Sequence, residues 1–125
     1  MIRNINTERA PKAIGPYSQA IEIGNFVFVS GQIPVDPITG LIQPTIESAA
    51  TQSLENLKAI LEKAGLTLED VVKTTIFLSD MANFAAVNEV YGKYFKEPYP
   101  ARSCVAVREL PKNVLVEIEA IAVRQ

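Results

Sequence analysis

The side chains best suited to chemistry lie in the last quarter of the chain. Arg102 and Cys104 belong to a run over residues 100–107, and Glu117 belongs to a second run over residues 114–123. An arginine can bind a carboxylate through two parallel N–H bonds, and a carboxylate can orient a water molecule and move its protons. The two runs together predict a β-hairpin that carries a planar cation, a thiol and carboxylates.

The second run alternates strictly between the two faces of a strand. One face is apolar and predicts core packing through Val114, Val116, Ile118, Ala120 and Ala122. The other face interleaves two carboxylates with large apolar side chains, namely Leu115, Glu117, Glu119, Ile121 and Val123. Exposing such a mixed face to water is unfavourable, so we expect another surface to cover it.

Arg102, Cys104 and Ala106 share one face of the first strand by the same alternation. A half-buried arginine needs an anionic partner, because an unpaired buried charge is strongly destabilising. The candidates are Glu117, Glu119 or the carboxylate of a ligand. A nucleophilic role for the Cys104 sulfur is disfavoured, since the chain contains no histidine that could form a Cys–His pair.

The first half of the chain predicts a hairpin and a loop. Gly24-Asn25 tolerates the positive φ of a two-residue turn, which predicts a hairpin between strands at residues 20–23 and 26–30. Residues 31–44 contain three prolines and predict an extended loop near the sheet, with a turn at residues 36–40.

The middle of the chain predicts two helices separated by a strand. Apolar residues at spacings of three and four over residues 47–64, followed by Gly65, indicate the first helix. The β-rich run at residues 71–78 predicts a central strand buried on both faces. Asp80 can cap the second helix, which ends before Pro98 and carries an apolar stripe of Phe84, Val87, Tyr91 and Phe95.

This succession of elements predicts an α+β fold with a mixed sheet and both helices on one face. We expect residues 1–125 to form one domain, because the chain is long enough for one hydrophobic core and too short for two. The opposite, semi-polar face of the sheet predicts association with further copies of the subunit.

Composition narrows the class of function. The formal net charge is -2 with no basic stripe, so we expect no nucleic acid partner. A single cysteine, no histidine and no phosphate-binding loop predict neither a metal site nor a cofactor. No apolar run is long enough to span a bilayer and no leader segment is evident, so we expect a cytoplasmic protein without a membrane partner.

Four separated motifs resemble the RidA/YjgF family of reactive-intermediate deaminases: GPYSQA at 15–20, VSGQIP at 29–34, PARS at 100–103 and VEIEA at 116–120. The resemblance covers essentially the whole chain. It implies a chorismate-mutase-like subunit, a homotrimer, and ligand sites between subunits. It also implies cofactor-free hydrolysis of 2-imino acids, such as 2-iminobutanoate and 2-iminopropanoate, to 2-oxo acids and ammonia, which protects pyridoxal-phosphate enzymes from 2-aminoacrylate-type damage.

The resemblance assigns roles to the residues named above. Arg102 would clamp the substrate carboxylate, and Glu117 would orient the attacking water and help to move protons. Spacing alone does not choose between Glu117 and Glu119, because both lie on one face of the strand. Substrate-binding positions are implied for Tyr17, Gly31, Asn88, Arg102, Ser103 and Cys104. Asn88 lies at the edge of the apolar helical stripe, where a buried amide must find hydrogen bonds.

Two other functions compete with the deaminase. A non-catalytic trimer could bind small 2-oxo carboxylates as a sensor, and it would bind these acids without turning over imines. An endoribonuclease or translation inhibitor, activities ascribed to some relatives, is less favoured because the chain is acidic and lacks histidine. Arg102 itself would serve only structure if it were paired with Glu117 or Glu119.

Overall fold

A single six-stranded sheet and two α-helices organise the chain. The computed structural model describes residues 1–125, and its elements are β1 (Arg3–Ile5), β2 (Ala20–Ile23), β3 (Phe26–Gln32), α1 (Ile46–Lys63), β4 (Val71–Leu78), α2 (Phe84–Tyr94), β5 (Ala101–Ala106) and β6 (Val116–Val123). The strand order is β1-β2-β3-β6-β4-β5, and only β4 and β5 run parallel. The expected α+β class and mixed sheet are confirmed.

Both helices pack on the same face of the sheet, as the sequence predicts. The α1 helix lies on β3 and β6, and α2 packs beside it. Thr45 caps α1 through the backbone N–H of Ser48, and the helix ends at Ala64, before Gly65 takes a positive φ of 79°. The largest fully buried side chains of α1 are Leu54, Leu57, Ile60 and Leu61.

The second helix begins slightly later than its capping signal suggests. Asp80 accepts a hydrogen bond from the backbone N–H of Ala82, which caps a 3-10 turn that leads into α2. Of the expected stripe, Val87, Tyr91 and Phe95 are buried, while Phe84 remains 36% exposed. The exposed ring of Phe84 lies at the end of the helix that faces Arg102.

The predicted hairpin between residues 100–107 and 114–123 is wrong. The two strands form, but β4 lies between them, parallel to β5 and antiparallel to β6. The reason is topological, because the α2 crossover returns the chain parallel to β4, and the long connection after β5 carries it back past β4 to pair with β3. The edge position of β5 leaves one side of this strand without a partner in the subunit.

The face of the sheet opposite the helices is open within one subunit. The strand β4 has neighbours on both sides, but only its helix-facing side chains are buried, so the expected burial on both faces is wrong for the isolated subunit. The apolar face of β6 is core from Val116 to Ala122, as predicted. Exposed aromatic and aliphatic side chains on β3 and β5 include Phe26, Phe28 and Val105.

The N-terminal strand β1 was not predicted from the sequence. It pairs with β2, and the segment that follows it is pinned by the buried side chain of Gln19. The Gln19 amide exchanges hydrogen bonds with the backbone of Thr7 and donates to the carbonyl oxygens of Ala10 and Pro11. No helix combines the length and the apolar character that crossing a bilayer requires.

Candidate active site

The parallel pairing of β4 and β5 sets the position of Arg102. Thr74 on β4 lies directly opposite Arg102 on β5, so both side chains leave the sheet on the helix-facing side. The guanidinium donates from Nη1 to Oδ1 of Asn88 at 2.7 Å. Its Cζ atom lies 4.9 Å from the ring centroid of Tyr91 and 5.5 Å from that of Phe84, within the range of cation–π contacts. We call these four residues, Arg102, Asn88, Tyr91 and Phe84, the arginine cluster.

Arg102 has no carboxylate partner, which corrects one alternative from the sequence. The ion pairs of the subunit involve Arg3, Arg9 and Arg124 instead. Asn88 is exposed rather than buried, contrary to expectation, and its oxygen occupies one guanidinium N–H. Arg102 also lines a cavity of about 460 Å³, together with Tyr99 and Pro100. A guanidinium placed in this way can accept an external carboxylate.

The two residues that follow Arg102 point to opposite faces of the sheet. The Cys104 side chain is half-buried on the helix-facing side and packs against the hydrophobic core. Burial raises the pKa of the Cys104 thiol, and the nearby Arg102 charge offsets this only in part, so the sulfur stays protonated. The Ser103 hydroxyl instead accepts a hydrogen bond from Nζ of Lys73 at 2.9 Å, away from the arginine cluster.

A second group of predicted site residues meets where β3 and β6 pair. The register between these strands shifts between Val29 and Gln32, and Gly31 lies within this irregularity. A Cβ atom built on Gly31 would lie 2.7 Å from Cδ of Glu117 and would also collide with its Oε2 atom. Only glycine therefore leaves room for the Glu117 carboxylate in its present position.

The loop that contains Tyr17 is hydrogen-bonded to Ser30, the residue before Gly31. Ser30 donates from its hydroxyl to the carbonyl oxygen of Ser18 at 2.6 Å, and its backbone N–H donates to the carbonyl oxygen of Gln19 at 2.9 Å. The Tyr17 side chain remains 54% exposed. We call Glu117, Gly31 and residues 15–19 the glutamate cluster.

The environment of Glu117 favours proton transfer. Burial raises the pKa of the Glu117 carboxyl, and the negative charge of Glu119 raises this pKa further. A carboxylate whose pKa lies closer to neutrality is a better general acid and base at physiological pH. Glu119 itself is exposed, and it lies opposite Thr75 on β4.

The two clusters occupy opposite faces of the sheet. Arg102 is paired with Thr74 and Glu117 with Phe77, and these two β4 residues are three positions apart. Side chains three positions apart on a strand point to opposite faces. One subunit therefore presents the arginine cluster and the glutamate cluster to two different regions of its surface.

Sequence reasoning missed the residues that hold Arg102 in place. The sequence pattern places Tyr91 and Phe84 in an apolar helical stripe and Thr74 in a buried strand. No local pattern could have indicated their contacts with Arg102, because these depend on the parallel pairing of β4 with β5. No three His, Cys, Asp or Glu side chains converge to hold a metal ion.

Comparison with known proteins identifies the family. The model of the endoribonuclease L-PSP family matches residues 7–124. The 2-iminobutanoate/2-iminopropanoate deaminase of Salmonella typhimurium is 55% identical over 128 residues, covering 100% of each chain. The crystal structure of Escherichia coli TdcF with bound serine is 53% identical, with a TM-score of 0.95 over 98% of this chain and 99% of that one. The structure of the Escherichia coli YjgF gene product is 52% identical, with a TM-score of 0.94 over the same shares. The chain therefore belongs to the endoribonuclease L-PSP family, the RidA/YjgF family that its four motifs resemble.

Proposed function

We propose that the protein hydrolyses 2-imino acids, with 2-iminobutanoate and 2-iminopropanoate as substrates, to 2-oxo acids and ammonia. Water adds to the C=N carbon to give a carbinolamine, the amino group takes up a proton, and ammonia leaves as the C=O bond forms. This activity would remove enamine and imine products before they damage pyridoxal-phosphate enzymes. The single cysteine is in keeping with action in a reducing cytoplasm.

The observation that carries this proposal is that Arg102 is held in place without a carboxylate partner. Its guanidinium is held by Asn88 and two aromatic rings, yet no carboxylate of the subunit neutralises it. The carboxylate next to the C=N bond of a 2-imino acid fits the remaining N–H donors in a bidentate geometry, which a lysine could not provide. Serine, bound in the TdcF structure, is likewise a small carboxylic acid with nitrogen on the carbon next to the carboxylate.

Glu117 supplies the proton chemistry in this proposal. Ionised Glu117 takes one proton from the attacking water and gives it to the imine nitrogen as the carbinolamine forms. It then takes the hydroxyl proton as the C=O bond forms and passes it to the departing amino group, so both water protons end on ammonia and Glu117 is ionised again. Burial and the charge of Glu119 raise the pKa of Glu117, which makes it a better group for passing a proton in both directions. Tyr17, Gly31, Asn88, Ser103 and Cys104 remain the proposed substrate-binding positions, with Gly31 acting through the space it leaves for Glu117. Ser103 can contribute only through its backbone, since its hydroxyl faces Lys73.

Because the two clusters lie on opposite faces of the sheet, the proposed site needs more than one copy of the chain. Arg102 and Glu117 can act on one substrate only if they come from different subunits, because they lie on opposite faces of one sheet. We propose a homotrimer in which the arginine cluster of one copy faces the glutamate cluster of the next. The exposed side chains of Phe26 and Phe28 would be covered by such an assembly.

The test is the release of 2-oxobutanoate and ammonia from 2-iminobutanoate that a threonine dehydratase generates in situ. Arg102→Ala should lower the enzymatic rate on the order of a hundredfold or more, since it removes two charge-assisted hydrogen bonds. Arg108→Ala, an exposed arginine outside both clusters, is the matched control and should retain the wild-type rate. A reaction without protein corrects for spontaneous hydrolysis, and light scattering should give about three times the 13.7 kDa of one chain for every variant.

The same assay separates the deaminase from its competitors. If wild type fails to exceed the reaction without protein but binds 2-oxobutanoate in a calorimetric titration, a small-carboxylate binding protein becomes the better interpretation. The family name refers to an endoribonuclease, so RNA cleavage is measured in parallel. Cleavage that survives Arg102→Ala, with no imine hydrolysis, would contradict the proposal.

A further inference from the structure

A buried hydrogen bond between Tyr91 and Thr74 lies next to Arg102, the arginine of the proposed site. Thr74 and Arg102 stand side by side on β4 and β5, and Tyr91 of α2 lies over both of them. The Tyr91 hydroxyl and Oγ1 of Thr74 are 2.7 Å apart, in hydrogen-bond contact. Thr74 is 0% exposed and Tyr91 is 5% exposed, so water does not compete for this bond.

We propose that Tyr91, anchored by Thr74, is a positioning residue that sets the orientation of the Arg102 guanidinium for carboxylate binding. This inference rests on the proposed function and deepens it. An arginine side chain has many rotamers, and ordering it when the ligand binds would weaken binding. The Tyr91 ring restricts this freedom in advance through its cation–π contact at 4.9 Å, while Asn88 restrains one edge of the guanidinium.

The anchoring of Tyr91 explains why its ring is well suited to this task. Its hydroxyl is fixed by Thr74, and its ring packs against that of Phe95 at a centroid distance of 4.5 Å. Burial raises the pKa of the Tyr91 hydroxyl, so this residue stays neutral and does not form an ion pair with Arg102. The ring therefore orients the guanidinium without neutralising the charge that a substrate carboxylate needs.

Variants of Tyr91 should act on substrate binding rather than on chemistry. Tyr91→Leu removes the ring and should raise KM about fivefold, with kcat within about twofold of wild type, because the loss falls on the carboxylate clamp. Tyr91→Phe keeps the ring but loses the bond to Thr74, so its KM should lie between the values of wild type and Tyr91→Leu. Tyr94→Leu is the matched control, since Tyr94 lies on the same helix but donates to Glu55, away from Arg102.

A spectroscopic readout tests the positioning without any substrate. The Nε–Hε resonance of Arg102, assigned by its disappearance in Arg102→Lys, should be shifted upfield from those of the other four arginines by the Tyr91 ring current. It should move toward them in Tyr91→Leu and stay in place in Tyr94→Leu. Thr74→Val, which keeps the ring but orphans the Tyr91 hydroxyl, should shift it in the same direction by a smaller amount.

The hydrolysis assay and the Arg102 resonance distinguish failure of the proposed function from failure of the positioning role. Absence of imine hydrolysis in wild type, together with a moved Arg102 resonance in Thr74→Val, which keeps the ring, removes the proposed function and leaves the positioning role intact. An unmoved resonance in Tyr91→Leu and Thr74→Val overturns the positioning role, whether or not wild type is active. The same conclusion follows if Tyr91→Leu lowers kcat and the melting temperature while KM stays at the wild-type value.

Discussion

Glu117 and Glu119 differ in surroundings although both lie on one face of β6. Glu117 is half-buried beside Gly31, while Glu119 is exposed. The alternation of the sequence identifies both carboxylates as candidates and cannot separate them. What separates them is the irregular pairing of β3 with β6, which places Gly31 against Glu117 alone. A register shift of this kind depends on contacts between distant segments and leaves no pattern in the sequence.

The charge of Glu119 should tune the pH dependence of catalysis. In the proposed mechanism Glu117 must be ionised to accept a proton from water, so the rate should fall as the pH drops through the pKa of Glu117. Burial is the larger cause of its raised pKa and Glu119 the smaller one. Glu119→Gln removes a negative charge, lowers the pKa of Glu117, and should move the acid limb of the kcat/KM profile to lower pH.

The profile is measured from pH 5 upward, with spontaneous imine hydrolysis subtracted at each pH. Glu89→Gln, which removes an exposed carboxylate on α2, is the control and should leave the acid limb where it is. A shift of the limb to higher pH, or an identical shift in both variants, would show that Glu119 does not act on the proton-transfer group.

At the level of elements, local sequence signals predict the individual helices and strands well, but they do not predict which strands pair with each other. The hairpin at Gly24, the helix that ends before Gly65 and the alternation of β6 follow from short-range chemistry, and all three are confirmed. The pairing of β5 with β4 instead of β6 does not follow from such signals, since any two apolar strands satisfy the same alternation. Because Arg102 lies on β5, this pairing also decides which face and which partners it has.

The irregular segment of β3 should be essential for the placement of Glu117. Gly31→Ala puts a methyl group where the Glu117 carboxylate lies, and the flexible side chain must move aside. We expect kcat to fall about ten- to hundredfold, with KM little changed, because the proposed general base is displaced while Arg102 is untouched. Steady-state kinetics together with a thermal melt distinguish this effect from unfolding.

The double variant Gly31→Ala/Glu117→Gln tests whether Gly31 acts through Glu117. In a Glu117→Gln protein the carboxylate is already gone, so adding Gly31→Ala should cause little further loss. Losses that multiply in the double variant would mean that Gly31 serves the reaction, or the fold, by a route independent of Glu117.

At the scale of the whole molecule, the arginine cluster and the glutamate cluster lie on opposite faces of one sheet, and each is half of a site in the proposed trimer. If neighbouring copies complete each site, a subunit without Arg102 and a subunit without Glu117 can restore one another. Arg102→Ala and Glu117→Gln should each be nearly inactive alone. In a cyclic trimer that contains both kinds of subunit, one of the three interfaces joins an intact Arg102 to an intact Glu117, so about a third of the wild-type activity should return.

The two variants are co-expressed with different affinity tags, and trimers that carry both tags are isolated by two successive purifications. The control pairs Arg102→Ala with the double variant Arg102→Ala/Glu117→Gln, in which no interface can hold an intact Arg102. Restored activity in the first mixture alone is the expected result, because only there does a complete pair form. Equal inactivity of both mixtures, with trimers confirmed by light scattering, would place Arg102 and Glu117 in separate functions and would leave the open face of the sheet with a purely structural role.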